Sequence, residues 1–234
     1  MKGTPPAHRE RATTVALIGV DGSGKSTLLA GLQAALSARG LRVHIHKTES
    51  GRSGLDRLAE RCGRDGLADL VGSETASLMQ AAIGWRSLRE AKPLLREAGR
   101  VVLFDRHIAC HLALTHLRSP AVLDEVRAVF SPFRPPDLTL FVTVTPAVAV
   151  QRLAERGGTA HAAGFLERFQ GAYRRVLDGL GGAVVELDGD LAPDAVLHNA
   201  LAALPVGLVE PMTGPVERMT GRVGRAAPGA DPQP

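Results

Sequence analysis

Short apolar segments alternate with longer amphipathic segments along the chain, and this pattern predicts strands and helices in regular succession. Strands are predicted at Thr14–Ile18, Leu41–His46, Val101–Phe104, Leu138–Val144 and Ala183–Leu187. Helices are predicted at Lys25–Ala38, Leu55–Cys62, Glu74–Arg96, His107–His116, Ala121–Phe130, Pro146–Arg156, Gly164–Leu180 and Pro193–Leu204, with a polar loop at Glu49–Gly54. Short apolar strands separated by helices indicate an α/β domain with a five-stranded parallel sheet covered on both faces.

The periodic pattern is confined to the middle of the chain. Residues 1–12 are polar and contain a Pro-Pro pair, so a flexible N-terminal lead is predicted. From residue 205 to residue 234, Pro, Gly and small polar residues dominate, which favours a disordered tail. One domain is therefore expected over residues 13–204.

Composition narrows the functional classes. The net charge is +4, and no basic run has interleaved aromatic residues, so nucleic-acid binding has little support. No apolar stretch approaches about 20 residues, so no membrane partner is expected. The two cysteines lack metal-ligand spacing, and no signal-peptide segment precedes the first strand; both points favour the cytoplasm.

Residues 19–27, Gly-Val-Asp-Gly-Ser-Gly-Lys-Ser-Thr, follow the first predicted strand and open the first predicted helix. This is a complete G-x-x-x-x-G-K-[ST] loop in the context that the motif requires. Backbone N–H groups of such a loop cradle phosphates, the lysine contacts the β- and γ-phosphates, and the hydroxyl ligates Mg²⁺. The alternative is a glycine-rich turn without function. We expect ATP to contact Gly19, Gly22, Ser23, Gly24, Lys25, Ser26 and Thr27, with Ser26 on the metal.

A second candidate site is Asp105-Arg106-His107, at the carboxyl end of a buried strand. Ligands of open α/β sheets bind at this edge. Asp105 can hold Mg²⁺ or orient the acceptor, and Arg106 can grip an acceptor phosphate with its planar fork. The alternative is that Asp105 caps the next helix while Arg106 faces solvent.

A third candidate is the pair Arg152 and Arg156, which lie four residues apart and therefore share one face of a helix. Two guanidinium groups near the γ-phosphate would stabilise transition-state charge. By spacing alone, a solvated helix face is the favoured interpretation.

Three motifs together resemble thymidylate (dTMP) kinases: the loop at 19–27, Asp105-Arg106-His107, and Pro136-Asp-Leu-Thr-Leu-Phe-Val-Thr-Val-Thr-Pro146 followed by the arginine pair. The resemblance covers residues 12–204. It implies a P-loop nucleoside monophosphate kinase fold with strand order 2-3-1-4-5. It also implies Mg²⁺-dependent transfer from ATP to a small nucleotide, with dTMP as the leading acceptor, and a homodimer.

The resemblance also assigns roles to residues. Asp21 would bind the sugar hydroxyl of the acceptor, and Glu49, Arg86 and Arg106 would complete the acceptor site. Lys25 and Asp105 would act in catalysis. Because position 22 is Gly, where some members carry a cation, a lid at about residues 152–164 would supply Arg152 and Arg156 to the transition state.

Departures from the family concentrate in acceptor recognition. After the second strand the chain reads Thr48-Glu-Ser-Gly-Arg52, where the family has Arg-Glu-Pro-Gly-Gly. No Phe precedes Arg86 at the family position; Trp85 is adjacent, and a core or surface role is its simpler interpretation. Phosphotransfer residues are therefore expected to be intact and base recognition altered. The alternatives to dTMP are another small phosphorylated or hydroxyl acceptor, or a nucleotide-binding regulatory protein with little turnover.

Overall fold

Five parallel strands form the sheet, as predicted. The computed structural model describes residues 11–157, 162–205 and 208. The strands are β1 (Thr13–Ile18), β2 (Arg42–Lys47), β3 (Arg100–Asp105), β4 (Leu138–Thr143) and β5 (Ala183–Asp188). Their order is β2-β3-β1-β4-β5, and each neighbouring pair is parallel. The predicted fold class and strand order are therefore confirmed.

Helices connect the strands and cover both faces of the sheet. They are α1 (Lys25–Ala38), α2 (Arg52–Arg61), α3 (Leu67–Val71), α4 (Ser73–Leu95), α5 (Ile108–Arg118), α6 (Leu123–Phe130), α7 (Pro146–Glu155), α8 (Ala163–Leu177) and α9 (Pro193–Ala203), with a 3₁₀ turn at Pro120–Val122. The predicted bounds of α1 are confirmed at both ends. The loop predicted at Glu49–Gly54 is too long, because α2 already begins at Arg52, and the five-residue α3 was not predicted.

The central strand β1 shows how the two layers of the core divide. All six of its residues are buried. Val15 and Leu17 pack in the layer formed with α1 and α9, whereas Ala16 and Ile18 pack on the opposite layer with α4, α5 and α8. Side chains alternate across a strand, so a strand buried on both faces is apolar throughout. This burial holds the carboxyl end of β1, where the phosphate loop begins, in the middle of the fold.

Asp137 ties the start of β1 to the start of β4. Its carboxylate accepts hydrogen bonds from the Thr14 backbone N–H (2.8 Å), the Thr14 hydroxyl (2.9 Å) and the Arg11 guanidinium (3.1 Å). Burial raises the pKa of this carboxyl, but these donors outweigh burial and the net pKa is lowered. The Pro136-Asp-Leu-Thr segment therefore contributes a structural contact at the sheet edge opposite the phosphate loop.

Trp85 on α4 belongs to the core layer of α4 and α6, which agrees with the core role considered for it. Its ring meets Phe133 edge-on, with 5.9 Å between ring centroids, and the Arg89 guanidinium lies 5.5 Å from the indole centroid.

No helix in the described ranges is long and apolar enough to cross a membrane. The lead predicted at 1–12 and the tail predicted at 205–234 lie outside the described residues, except for positions 11, 12, 205 and 208.

Candidate active site

The phosphate loop joins β1 to α1, and its shape depends on glycine. Gly19, Gly22 and Gly24 have φ values of +146°, +85° and +94°, which L side chains rarely adopt. A Cβ on Gly19 would lie 2.3 Å from the Val142 carbonyl oxygen, and one on Gly22 would lie 2.6 Å from that of Ala149. The loop is therefore pressed between β4 and α7, with its chain directed into the N-terminus of α1.

Lys25 lies at the centre of this loop. Its ammonium donates to the Val20 carbonyl (2.6 Å) and to the Ser23 hydroxyl (3.3 Å). Burial, with the positive charge of Arg106 nearby, lowers the pKa of Lys25 to about 8, so the group is still mainly protonated at pH 7. The next two side chains, Ser26 and Thr27, are exposed in the first turn of α1, where their hydroxyls are accessible to a metal–nucleotide complex.

The end of β3 lies beside this loop because β3 pairs directly with β1. Asp105 is in register with Leu17, and the Arg106 N–H donates to the Leu17 carbonyl (3.1 Å). Thr48 holds the other side: its N–H donates to the Asp105 carbonyl (3.0 Å) and its hydroxyl to the Arg106 carbonyl (2.8 Å). His107 precedes α5 at its N-terminus, so the alternative in which Asp105 caps this helix is wrong.

Arg106 adopts a left-handed backbone conformation, φ +70°, and it is the non-glycine residue for which the described chain shows a positive φ. Such a conformation costs free energy and is concentrated at functional sites. It directs the guanidinium back to the phosphate loop, where Nη2 donates to the Asp21 carboxylate over 2.6 Å. This ion pair connects the end of β3 with the loop.

The pair opens onto a cavity of about 1100 Å³. Of the residues predicted to bind the acceptor, Asp21, Glu49 and Arg106 line it. Helix α5 contributes Cys110, His111, Leu114 and Thr115; α4 contributes Ser73, Ala76, Ser77 and Gln80; α8 contributes Phe169; α2 and α3 contribute the opposite side. The cavity is large enough for a nucleotide next to the phosphate loop.

Arg86, the fourth predicted acceptor residue, is not brought to this cavity. Its side chain is 65% exposed and pairs with Glu90 over 3.7 Å. The buried face of α4 carries Ala76, Gln80 and Gly84 at helical spacing, and Arg86 projects from another face. The sequence does not show which face of α4 is turned toward the cavity. For this reason the expectation that Arg86 lies in the acceptor site does not match the structure.

The two arginines of α7 differ in their surroundings. Arg152 donates from Nη1 to the Gly189 carbonyl (2.9 Å) and more weakly to the Gly22 carbonyl (3.4 Å). The solvated-face alternative is therefore wrong for Arg152, which joins the phosphate loop to the turn after β5. Arg156 is exposed at the C-terminus of α7. Residues 158–161 of the predicted lid lie outside the described residues.

Helix α8 brings aromatic residues to the site that no sequence motif predicted. Phe169 lines the cavity and stacks on Tyr173, with 4.8 Å between ring centroids. The Tyr173 hydroxyl lies 3.5 Å from the Gly19 carbonyl oxygen. Phe165, Phe169 and Tyr173 recur every four residues. In a chain with so few aromatics, this spacing was a signal for one aromatic face of α8 directed at the site.

Comparison with known proteins agrees with this geometry. The family model for thymidylate kinase matches residues 18–198. The chain belongs to the thymidylate kinase family. Similar relatives include the probable thymidylate kinase of Natronomonas pharaonis, 32% identical over 196 residues that cover 80% of this chain and 94% of the relative. The thymidylate kinase of Nitrobacter winogradskyi is 29% identical over 214 residues, which cover 87% of this chain and 92% of the relative.

Membership of the thymidylate kinase family confirms the predicted family and the predicted phosphotransferase class. Like the family, the protein uses ATP as phosphoryl donor with Mg²⁺. The residues present fit this metal, because Ser26 offers an exposed hydroxyl and Asp105 a carboxylate on adjacent elements of the sheet edge. Hard oxygen donors, few in number and completed by phosphates and water, are the ligands that Mg²⁺ prefers.

Proposed function

We propose that this kinase transfers the γ-phosphoryl group of ATP to dTMP and forms dTDP. The observation that supports the proposal is the Arg106–Asp21 ion pair, which joins a cation suited to a phosphate and a carboxylate suited to a sugar hydroxyl where the phosphate loop meets the large cavity. Relatives that match over most of their length bear the name thymidylate kinase. Donor and acceptor would therefore meet at the carboxyl ends of β1 and β3.

In the proposed complex the phosphate loop binds ATP. Its backbone N–H groups and the N-terminus of α1 surround the phosphates, and Lys25 exchanges its contact with the Val20 carbonyl for the β- and γ-phosphates. Ser26 and Asp105 would hold Mg²⁺, and the bound metal would neutralise phosphate charge. Catalysis then rests on positioning and charge stabilisation by these residues.

On the acceptor side, Arg106 would bind the phosphate of dTMP, since its guanidinium is fixed at the cavity mouth. Asp21 would accept a hydrogen bond from the sugar hydroxyl, and Glu49 would border the same site. Arg152 and Arg156 would supply positive charge as the phosphoryl group moves. The contact of Arg152 with the Gly22 carbonyl supports this role, because it keeps one guanidinium beside the loop.

The test is ATP- and Mg²⁺-dependent formation of dTDP, separated by chromatography and quantified together with ADP. Wild-type protein is expected to phosphorylate dTMP, and Lys25→Ala is expected to abolish transfer without unfolding the protein. Transfer only to acceptors other than dTMP would overturn the choice of acceptor. ATP binding without transfer to any acceptor would favour the regulatory alternative instead.

We also infer a homodimer in the cytoplasm. Leu78 and Met79 on α4 expose more than a third of their surfaces, which supports an apolar contact between copies. Cys62 and Cys110 are free, as expected in a reducing compartment. Light scattering after size exclusion tests the dimer, and a monomer at micromolar concentration would contradict it; fractionation of the source cells tests the location.

A further inference from the structure

Two contacts determine how α4 and α5 pass each other. The hydroxyl oxygens of Ser77 and Ser119 lie 2.5 Å apart. About two turns further along α4, a Cβ added to Gly84 would lie 2.3 Å from Nε2 of His111. Residue numbers rise on α4 as they fall on α5, so the helices are antiparallel, and the same register sets Gln80 opposite Thr115. Both of these residues line the acceptor cavity.

Gln80 has no hydrogen-bond partner among the residues that the structure describes, although only 9% of its surface is exposed. Its amide atoms are not fully buried but are open to the cavity that Gln80 lines. Thr115, 3% exposed, borders the same cavity. Neighbouring His111 is neutral at pH 7, because burial and the charge of Arg106 lower its pKa to about 4. The unpaired amide therefore borders the cavity beside Thr115 and neutral His111, where a ligand can replace solvent at its donor and acceptor.

We propose that Gln80 reads the base of the acceptor nucleotide. Its amide N–H donates to the O4 carbonyl of thymine, and its amide oxygen accepts the N3–H hydrogen. This inference rests on the proposed function, which puts phosphate and sugar at Arg106 and Asp21. Thr115 lies five residues beyond Cys110 along α5, roughly 7.5 Å at the helical rise. That span accommodates the sugar and brings the base to Gln80, with Phe169 as an aromatic wall.

The lack of a neighbour that orients the amide has a consequence for selectivity. Asn and Gln amides can present either the donor or the acceptor on a given side after a half-turn. One orientation matches the O4 and N3–H groups of thymine, and the other matches the N4 amino group and N3 of cytosine. We therefore expect dCMP to be phosphorylated with kcat/KM within about 10-fold of that for dTMP, a difference of about 1.4 kcal/mol.

The experiment compares wild type, Gln80→Leu and the control Gln33→Leu, which changes an exposed glutamine on α1. For Gln80→Leu, KM for both dTMP and dCMP is expected to rise about 10-fold or more, since a two-hydrogen-bond readout of a base is worth that much. The value of kcat, the Kd for ATP and the melting temperature are expected to change little. Inhibition by 2-deoxyribose 5-phosphate, which lacks a base, should be equal in all three proteins.

The outcomes separate the two proposals. Unchanged KM values in Gln80→Leu, with active wild type, would overturn the role of Gln80 and leave dTMP kinase activity standing. A wild-type preference for dTMP over dCMP of clearly more than about 10-fold would overturn the free amide orientation. If wild-type protein phosphorylates neither nucleotide, the proposed function fails, and the role of Gln80 fails with it.

Discussion

Gly189 packs closely against the backbone of Ser23. A Cβ at position 189 would lie 2.6 Å from the Ser23 carbonyl oxygen and 2.5 Å from that of Thr143. The turn after β5 is thereby packed against the phosphate loop from the side opposite β3. The geometry of the loop therefore depends on a residue more than 160 positions away in the chain.

Replacing Gly189 by Ala should distort the phosphate loop, because backbone atoms on both sides leave no space for a methyl group. We expect the Kd for ATP to rise about 10-fold or more and the free energy of unfolding to fall by about 1–3 kcal/mol. Gly171→Ala is the matched control, since its Cβ would meet nothing within 4 Å. Isothermal titration with ATP measures the effect; equal ATP affinity in both variants would contradict it.

Arg152 is expected to contribute both to structure and to turnover, whereas Arg156 contributes to turnover alone. Arg152→Met removes the hydrogen bonds to Gly189 and Gly22. We expect a lower melting temperature and a fall in kcat of about 10- to 1000-fold, as for a lost transition-state donor. Arg156→Met should lower kcat without lowering the melting temperature. Calorimetry and initial rates with both variants test the distinction, and equal melting points would contradict it.

Two buried histidines should make the fold sensitive to mild acid. Burial, with neighbouring positive charge, lowers the pKa of His107 to about 3 and that of His111 to about 4, from an ordinary value of 6.5. The unfolded chain therefore binds more protons below pH 6.5, and stability is complete above that pH and is lost as the pH falls toward 4. Each histidine should account for about 2 kcal/mol of lost unfolding free energy by pH 5.

Urea unfolding at pH 7, 6 and 5 measures this dependence. In His111→Asn the loss between pH 7 and pH 5 should be about half that of wild type, because one of the two buried groups has been removed. His198→Asn, a change at an exposed residue on α9, should retain the full dependence. Identical pH profiles for His111→Asn and wild type would refute the assignment.

Asp137→Asn should destabilise the protein without impairing nucleotide binding. The carboxylate accepts three hydrogen bonds on Oδ2 from Thr14 and Arg11, and a fourth on Oδ1 from Arg11 Nη2. An Asn amide has one oxygen, so its nitrogen would face one of these donors. We expect a loss of about 1–3 kcal/mol in the free energy of unfolding, with KM for ATP unchanged. A large rise in KM would show that this contact affects the active site.

The sequence predicted those parts of the fold that depend on local patterns. The phosphate loop and α1 were correct because Gly24, Lys25 and the following apolar repeat act within a few residues of one another. The closeness of Asp105 to the loop also followed, since parallel strands end at one edge. Helix α3 escaped prediction because five residues between Gly66 and Gly72 carry too little periodicity.

The acceptor side was less predictable because it depends on how helices are rotated and packed. Arg86 and Gln80 both lie on α4, and only packing against α5 decides that Gln80 reaches the cavity. Phe169 reaches the same cavity from α8, far along the chain. Tertiary contacts between helices determine which of these side chains reach the cavity, and no short sequence motif predicts those contacts.

The chain has one tryptophan. Trp85 contacts Phe133 and Arg89 at the edge of the core, and it does not line the acceptor cavity. Its fluorescence is therefore a single-site optical signal that bound nucleotide does not quench by contact. Because Gln80 and Trp85 share one helix, a change in emission on addition of acceptor would report displacement of α4 itself.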